Sequence, residues 1–111
     1  MVAHYHRFDI VLAALDPTVG AEVQKTRPCI IVSPDEMNDS LQTLILAPVT
    51  STLRRYPMRV PIRFQRRNGM VMLDQLRAVD KSRIVRVLGK AREDVARTVS
   101  ATLVEMFAYG N

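Results

Sequence analysis

Several things are scarce in this chain, and each shortage excludes a class of protein. Cys29 is the only cysteine, so no intrachain disulfide can form. No apolar run approaches the roughly 20 residues needed to cross a bilayer. The opening Met-Val-Ala-His-Tyr-His-Arg-Phe-Asp lacks the apolar core of a secretion signal. A cytoplasmic protein with no membrane partner is therefore expected. No internal repeat, low-complexity segment or linker is visible, and 111 residues suffice for one core but not two. The expectation is a single domain over residues 1–111. Lysine occurs only at Lys25, Lys81 and Lys90, and acid is absent altogether between Asp39 and Asp74.

Arginine fills that acid-free stretch: Arg54, Arg55, Arg59, Arg63, Arg66 and Arg67. The formal net charge is +5 and the sequence pI about 10.0. Guanidinium groups present a planar fork of donors that suits phosphate oxygens and stacks on bases. A merely solvated basic face is the plainer alternative. Clustering without interleaved acids favours a nucleic-acid or acidic-peptide partner.

The pattern of apolar residues predicts short strands followed by one helix. Residues 8–15 and 28–33 read as nearly continuous apolar strands, and 41–49 as a third. Pro34 to Ser40 reads as a polar turn with room for one helical turn. Over residues 58–64, Met58, Val60 and Ile62 alternate with Arg59, Pro61 and Arg63, which marks a half-exposed strand with a basic outer face. Asn68-Gly69 carries the strongest hairpin-turn signal. Residues 70–79 then read as one strand bearing Asp74, Gln75 and Arg77, and 83–88 as the last, ended by Gly89. Val95, Val99, Leu103 and Met106 recur at helical spacing within residues 91–109, with Gly110 as the stop. Five or six strands and a C-terminal helix predict a small, strongly twisted antiparallel barrel, mostly β, with the helix closing one side.

Two strand ends stand out as a phosphate site. Arg27 precedes Pro28, which stiffens the chain there. Thr50 and Ser51 follow Pro48-Val49 at the end of the third strand. If the ligand is RNA cut without a metal, a base must take the 2′-hydroxyl proton. Donors must also hold the charge of the phosphorane, and an acid must protonate the departing 5′-oxygen. Arg27 suits the charge-holding role and Thr50 offers a hydroxyl donor. Glu22 and Asp74 are the candidates for acid–base work, and the residues alone leave that choice open. Tyr56, beside Arg54 and Arg55, serves equally as a base-stacking ring or a loop anchor. His4 and His6 have no third ligand motif, and Cys29 reads as a buried core thiol. No metal or cofactor is expected.

The joint pattern resembles the MazF/PemK family of toxin endoribonucleases. The matching pieces are Asp9-Ile10-Val11, Asp16-Pro17-Thr18 through Gly20 to Glu22, Arg27-Pro28 and Ser33-Pro34. They continue with Pro48 to Ser51, Asp74-Gln75-Leu76-Arg77, Asp80 and Gly89-Lys90. The sequence departs from the family at Phe8, where glycine is usual. It departs from the PemK/Kid branch at Ala21, where that branch has histidine, and at Met72, where it has arginine. The resemblance implies a plasmid-toxin barrel of the SH3-like CcdB/Kid/MazF type and a homodimer. It also implies metal-independent, sequence-specific cleavage of single-stranded RNA to 2′,3′-cyclic phosphate and 5′-hydroxyl ends. Arg27 and Thr50 fall on the family's catalytic pair, Glu22 on the acid of its first loop and Asp74 on the PemK/Kid aspartate. Thr26, Ser51, Arg54, Arg55, Tyr56, Gln75 and Arg77 are the expected RNA contacts. An acidic MazE-like antitoxin peptide is the expected partner. Two alternatives stand beside this one. Met106-Phe107-Ala108-Tyr109-Gly110 loosely resembles the end of the CcdB gyrase toxins, and a catalytically inactive antitoxin binder on the same fold is the other.

Overall fold

The computed structural model describes residues 4–15 and 25–110. Seven strands and two helices follow in the order β1 (Asp9–Ala13), β2 (Arg27–Ile31), α1 (Asp35–Ser40), β3 (Thr43–Thr50), β4 (Arg59–Phe64), β5 (Arg67–Met72), β6 (Arg77–Asp80), β7 (Ile84–Lys90) and α2 (Glu93–Phe107). All pairings are antiparallel. The path runs β4-β5-β3-β2-β1-β7, with β6 also on β3. Strand β3 is the pivot, because its first half pairs with β6 while Val49 and Thr50 pair with Val71 and Met70 of β5. This branching curls the sheet into a half-barrel. Edge strands β4 and β7 meet through side chains, since a Cβ on Gly89 would lie 3.1 Å from the Phe64 ring.

Strands β1, β2 and β3 read as unbroken apolar runs because both of their faces are covered. One face, with Ile10, Ile30 and Ala47, joins Val60, Ile62, Val71 and the Val99 side of α2. The other, with Val11, Cys29, Ile31 and Leu46, packs on Leu44 and Val79. Burial on two faces removes the period-two alternation that a one-sided strand shows. Strand β4 has one dry face and keeps the alternation: Val60 and Ile62 are buried while Pro61 and Arg63 are exposed.

Three sequence expectations are corrected. The hairpin does not turn at Asn68-Gly69. Arg63 pairs with Asn68 and Phe64 with Arg67, so the two-residue loop is Gln65-Arg66. Both loop residues take left-handed backbone, φ 51° and 63°, as a tight primed turn demands. A turn at Asn68-Gly69 would have set Met70, Val71 and Met72 opposite Arg67, Arg66 and Gln65, apolar side chains against polar ones. Gly69 has a different task, because a Cβ there would sit 2.9 Å from the Thr50 carbonyl oxygen and 3.0 Å from Val49 Cγ1. The expected strand over 70–79 is likewise two strands, separated by a 3-10 turn, Leu73–Gln75. It turns so that Leu73 is buried while β6 moves across to β3. The last strand also runs on through Gly89 to Lys90.

Phe8 stands where the resemblance predicts glycine, and its backbone takes the kind of conformation glycine favours. Phe8 has φ 71°, a left-handed conformation that costs a side-chain-bearing residue energy. Its N–H donates to Ile31 O at 2.7 Å, and its carbonyl accepts from Ala91 N at 2.9 Å. The ring packs against the core. The fold therefore enforces the conformation. Nearby, α1 is tied in by Asn38, which is 1% exposed. Its amide donates to Ser33 O at 2.9 Å and to Tyr5 O at 3.3 Å, and its Oδ1 accepts from Ser33 Oγ at 2.5 Å. Lys81 Nζ donates to its carbonyl. His6 Nδ1 lies 3.2 Å from Asp35 and His4 Nδ1 3.7 Å from Asp39, so both rings meet carboxylates of α1.

Candidate active site

Arg27 opens β2 and Thr50 closes β3. The β2–β3 ladder runs Ile31 with Leu46, Ile30 with Ala47 and Cys29 with Pro48. Continued outward by two residues, it brings Arg27 alongside Thr50. On its other side Arg27 pairs with Ala13 of β1. The candidate cation and hydroxyl are thus carried by strands whose inner residues are fully buried. Such strands hold their ends in reproducible places, which a charge-stabilising group requires. Thr50 Oγ1 accepts the Thr52 N–H at 3.2 Å. That bond uses a lone pair and leaves the hydroxyl proton for an outside acceptor.

Both residues line an open groove of about 670 Å³, together with Thr26, Ser51 and, on the opposite wall, Gln65, Arg67 and Asn68. Ile10, Ile62, Phe64 and Leu88 supply apolar lining. The groove therefore has two walls of different origin: β-strand ends on one side, the β4–β5 hairpin on the other. Gln65, Arg67 and Asn68 were missed as site residues by sequence reasoning. The misplaced hairpin turn hid them, since only a turn at Gln65-Arg66 points this tip at Arg27.

The remaining expected site residues divide. Asp74 lies on the 3-10 turn, away from the groove lining, and both its oxygens are held by Arg59: Nε to Oδ1 at 3.1 Å and Nη2 to Oδ2 at 3.2 Å. The bridge raises the Arg59 pKa, chiefly through that hydrogen bond. The Arg59 guanidinium sits 4.6 Å from the Tyr56 ring centre, and Arg54 Nη1 donates to the Tyr56 hydroxyl at 2.7 Å. Tyr56 is thereby fastened by two arginines and still half open to solvent. Gln75 is exposed on the same 3-10 turn. Arg77 begins β6 opposite Leu46. Arg55 lines a neighbouring groove. Glu22 and the Asp16–Glu22 motif fall outside the described residues.

Cys29 is the core thiol expected, fully buried. Burial pushes its pKa up to about 12, against the smaller opposing pull of Arg27 and Arg77. At neutral pH it is a protonated thiol, not a nucleophile. At the far end of α2, Met106 packs on the core while Phe107 and Tyr109 are exposed. No helix among the described residues is long and apolar enough to cross a membrane.

Comparison with known proteins bears on this geometry. Residues 6–107 match the family model described as PemK-like, MazF-like toxin of type II toxin–antitoxin system. The endoribonuclease toxin MazF of Escherichia coli K12 is 30% identical over 71 residues, 64% of each chain. The chain thus aligns with just under two thirds of that relative's length. Crystal structures of MazF and of a MazE-MazF complex from Deinococcus radiodurans superpose with TM-scores of 0.77 and 0.82. Their identities are 27% and 26%. The superpositions cover 95% and 98% of this chain, and 97% and 100% of theirs.

Proposed function

The chain belongs to the PemK-like, MazF-like toxins of type II toxin–antitoxin systems, and from that premise we propose that it is a metal-independent endoribonuclease acting on single-stranded RNA. The observation that carries the reading is the shared groove of Arg27 and Thr50 at two rigid strand ends. In this mechanism the RNA 2′-hydroxyl loses its proton to a base and attacks the adjacent phosphorus. Arg27 donates to the non-bridging oxygens as negative charge builds, and Thr50 adds its hydroxyl. The P–O5′ bond breaks, the 5′-oxygen takes up a proton, and a 2′,3′-cyclic phosphate and a 5′-hydroxyl remain. Asp74, with both oxygens in the Arg59 fork, holds the Tyr56 loop in place. The acid–base task falls to Glu22. Thr26, Ser51, Gln65, Arg67 and Asn68 surround the scissile region, and Arg54, Tyr56, Gln75 and Arg77 lie further along the substrate.

An acidic antitoxin segment is the second partner, suited to the same arginines. Homodimerisation has support in β7, a sheet edge with exposed Val85 and Val87, because an uncovered apolar edge strand invites pairing. A cytoplasmic setting fits a substrate such as mRNA. The test is kinetic. Thr50→Ala should lower the cleavage rate far more than it weakens RNA binding. Equal losses in both would make Thr50 a binding residue only. Removing residues 109–111 should spare RNA cleavage, whereas a gyrase poison built on the C-terminal residues would lose its effect.

A further inference from the structure

Behind the β4–β5 hairpin lies a second groove of about 360 Å³, formed with the 51–57 loop and the start of α2. Arg55, Arg63 and Arg92 line it, over a floor that includes Leu53, Pro61 and Val95. Asp94 is the one acid among the described residues that line it, and that carboxylate already faces Arg92 Nε at 3.5 Å. The groove shares Ile62, Asn68 and Gly69 with the Arg27–Thr50 groove, so a single thin wall separates them. Arg63 Nη1 donates to Asn68 Oδ1 at 3.2 Å across that wall.

A strand cut internally must continue past the scissile phosphate on both sides. The next concavity over the hairpin is rimmed by guanidinium forks, the donors best matched to phosphate oxygens. We propose that this second groove is a subsite for the flanking nucleotides of single-stranded RNA, with Arg63 and Arg92 binding phosphates beyond the cut. The inference rests on the endoribonuclease reading above. Its consequence is that affinity for long substrates is set partly outside the catalytic groove. Sugar and base faces would lie on Leu53, Pro61 and Val95.

The experiment compares wild-type protein with an Arg63→Gln/Arg92→Gln double variant. Both side chains are largely solvent-exposed, and thermal melting checks that the fold is kept. The probes are fluorescent 2′-O-methyl RNAs of mixed sequence, which cannot undergo internal attack, of about 4 and about 16 nucleotides, the span of site sizes seen for single-strand binders. The double variant should bind the long RNA about tenfold more weakly and the short one unchanged. Its log–log salt slope on the long RNA should fall by about 0.7 for each phosphate that is no longer neutralised. On cleavable long RNA, KM should rise with kcat unchanged. Undiminished long-RNA affinity would overturn the proposal, as would equal losses on both lengths. Unchanged RNA affinity with lost binding to poly-glutamate would instead give the groove to an acidic protein partner. A wild-type protein that shows the length-dependent binding but cuts no RNA would sink the endoribonuclease reading while leaving the subsite standing.

Discussion

The two walls of the candidate catalytic groove are built on opposite principles. On one, Arg27 and Thr50 extend from strands buried on both faces, where Ile30, Ile31, Leu46 and Ala47 are fully enclosed. On the other, Gln65, Arg67 and Asn68 ride a hairpin with one face in solvent and arginines along it. The difference would meet two separate demands on the proposed nuclease. Charge stabilisation at a single phosphorus tolerates little displacement, so its donors belong on the stiffest part of the fold. Reading a flexible, charged strand needs reach and variability, which a half-exposed hairpin provides.

That contrast can be broken from either side. The largest effect is expected at the rigid wall: Arg27→Ala should reduce cleavage by at least about 10²–10³-fold, the range for losing one charge-stabilising donor, with an unchanged melting curve. Next is the seam where the walls meet. Gly69→Ala forces a Cβ against the Thr50 carbonyl, so it should destabilise by about 1–3 kcal/mol and lower activity as Thr50 shifts. A calorimetric melt paired with initial rates would show both, and a neutral result would mean that β3 and β5 can part without consequence. Asn38→Ala should cost about 1–3 kcal/mol by stranding buried partners, yet leave kcat intact, because α1 lies away from the groove. Away from the groove, Asp74→Asn should release Arg59 and Tyr56. It should raise KM more than it lowers kcat, whereas an Asp74 acting as general base would show the reverse together with an altered pH profile.

The effect that vanishes at neutral pH is a pH dependence. Burial raises the folded pKa of Cys29 from an ordinary thiol value of 9.0 to about 12. In that window the unfolded chain releases a proton that the folded chain retains, so stability is full below about pH 9 and declines as pH rises toward 12. Denaturant titrations of wild type and Cys29→Ala should diverge in alkaline slope and run parallel at neutral pH. Thiol labelling of the native protein should be negligible at pH 8 and complete after unfolding.

Much of the rigid wall was legible in the sequence, and the hairpin wall was not. Runs such as Cys29-Ile30-Ile31-Val32 need only a hydrophobic count, because two-sided burial leaves no alternation to misread. Turn chemistry was the weaker guide. Asn68-Gly69 has the stronger local preference, yet the turn formed at Gln65-Arg66, which sets Val60 opposite Val71 and Ile62 opposite Gly69 rather than opposite Arg77 and Gln75. Gly69 serves close approach to β3, a tertiary demand invisible to local propensity. For the same reason Asp74 read as part of a strand: nothing local announces the break that lets β6 cross to β3. Phe8 shows the converse, a residue poorly suited to its φ and held there by backbone bonds to Ile31 and Ala91.

The measurement that tests the account most directly maps RNA ends. Purified protein, free of antitoxin and shown to be folded, is incubated in excess EDTA with a long, weakly structured RNA, beside Arg27→Ala prepared identically. The account predicts discrete cuts at a shared short motif, with 5′-hydroxyl and 2′,3′-cyclic phosphate ends, absent with the variant. RNA left intact by the wild type, or cut equally by both proteins, would contradict it.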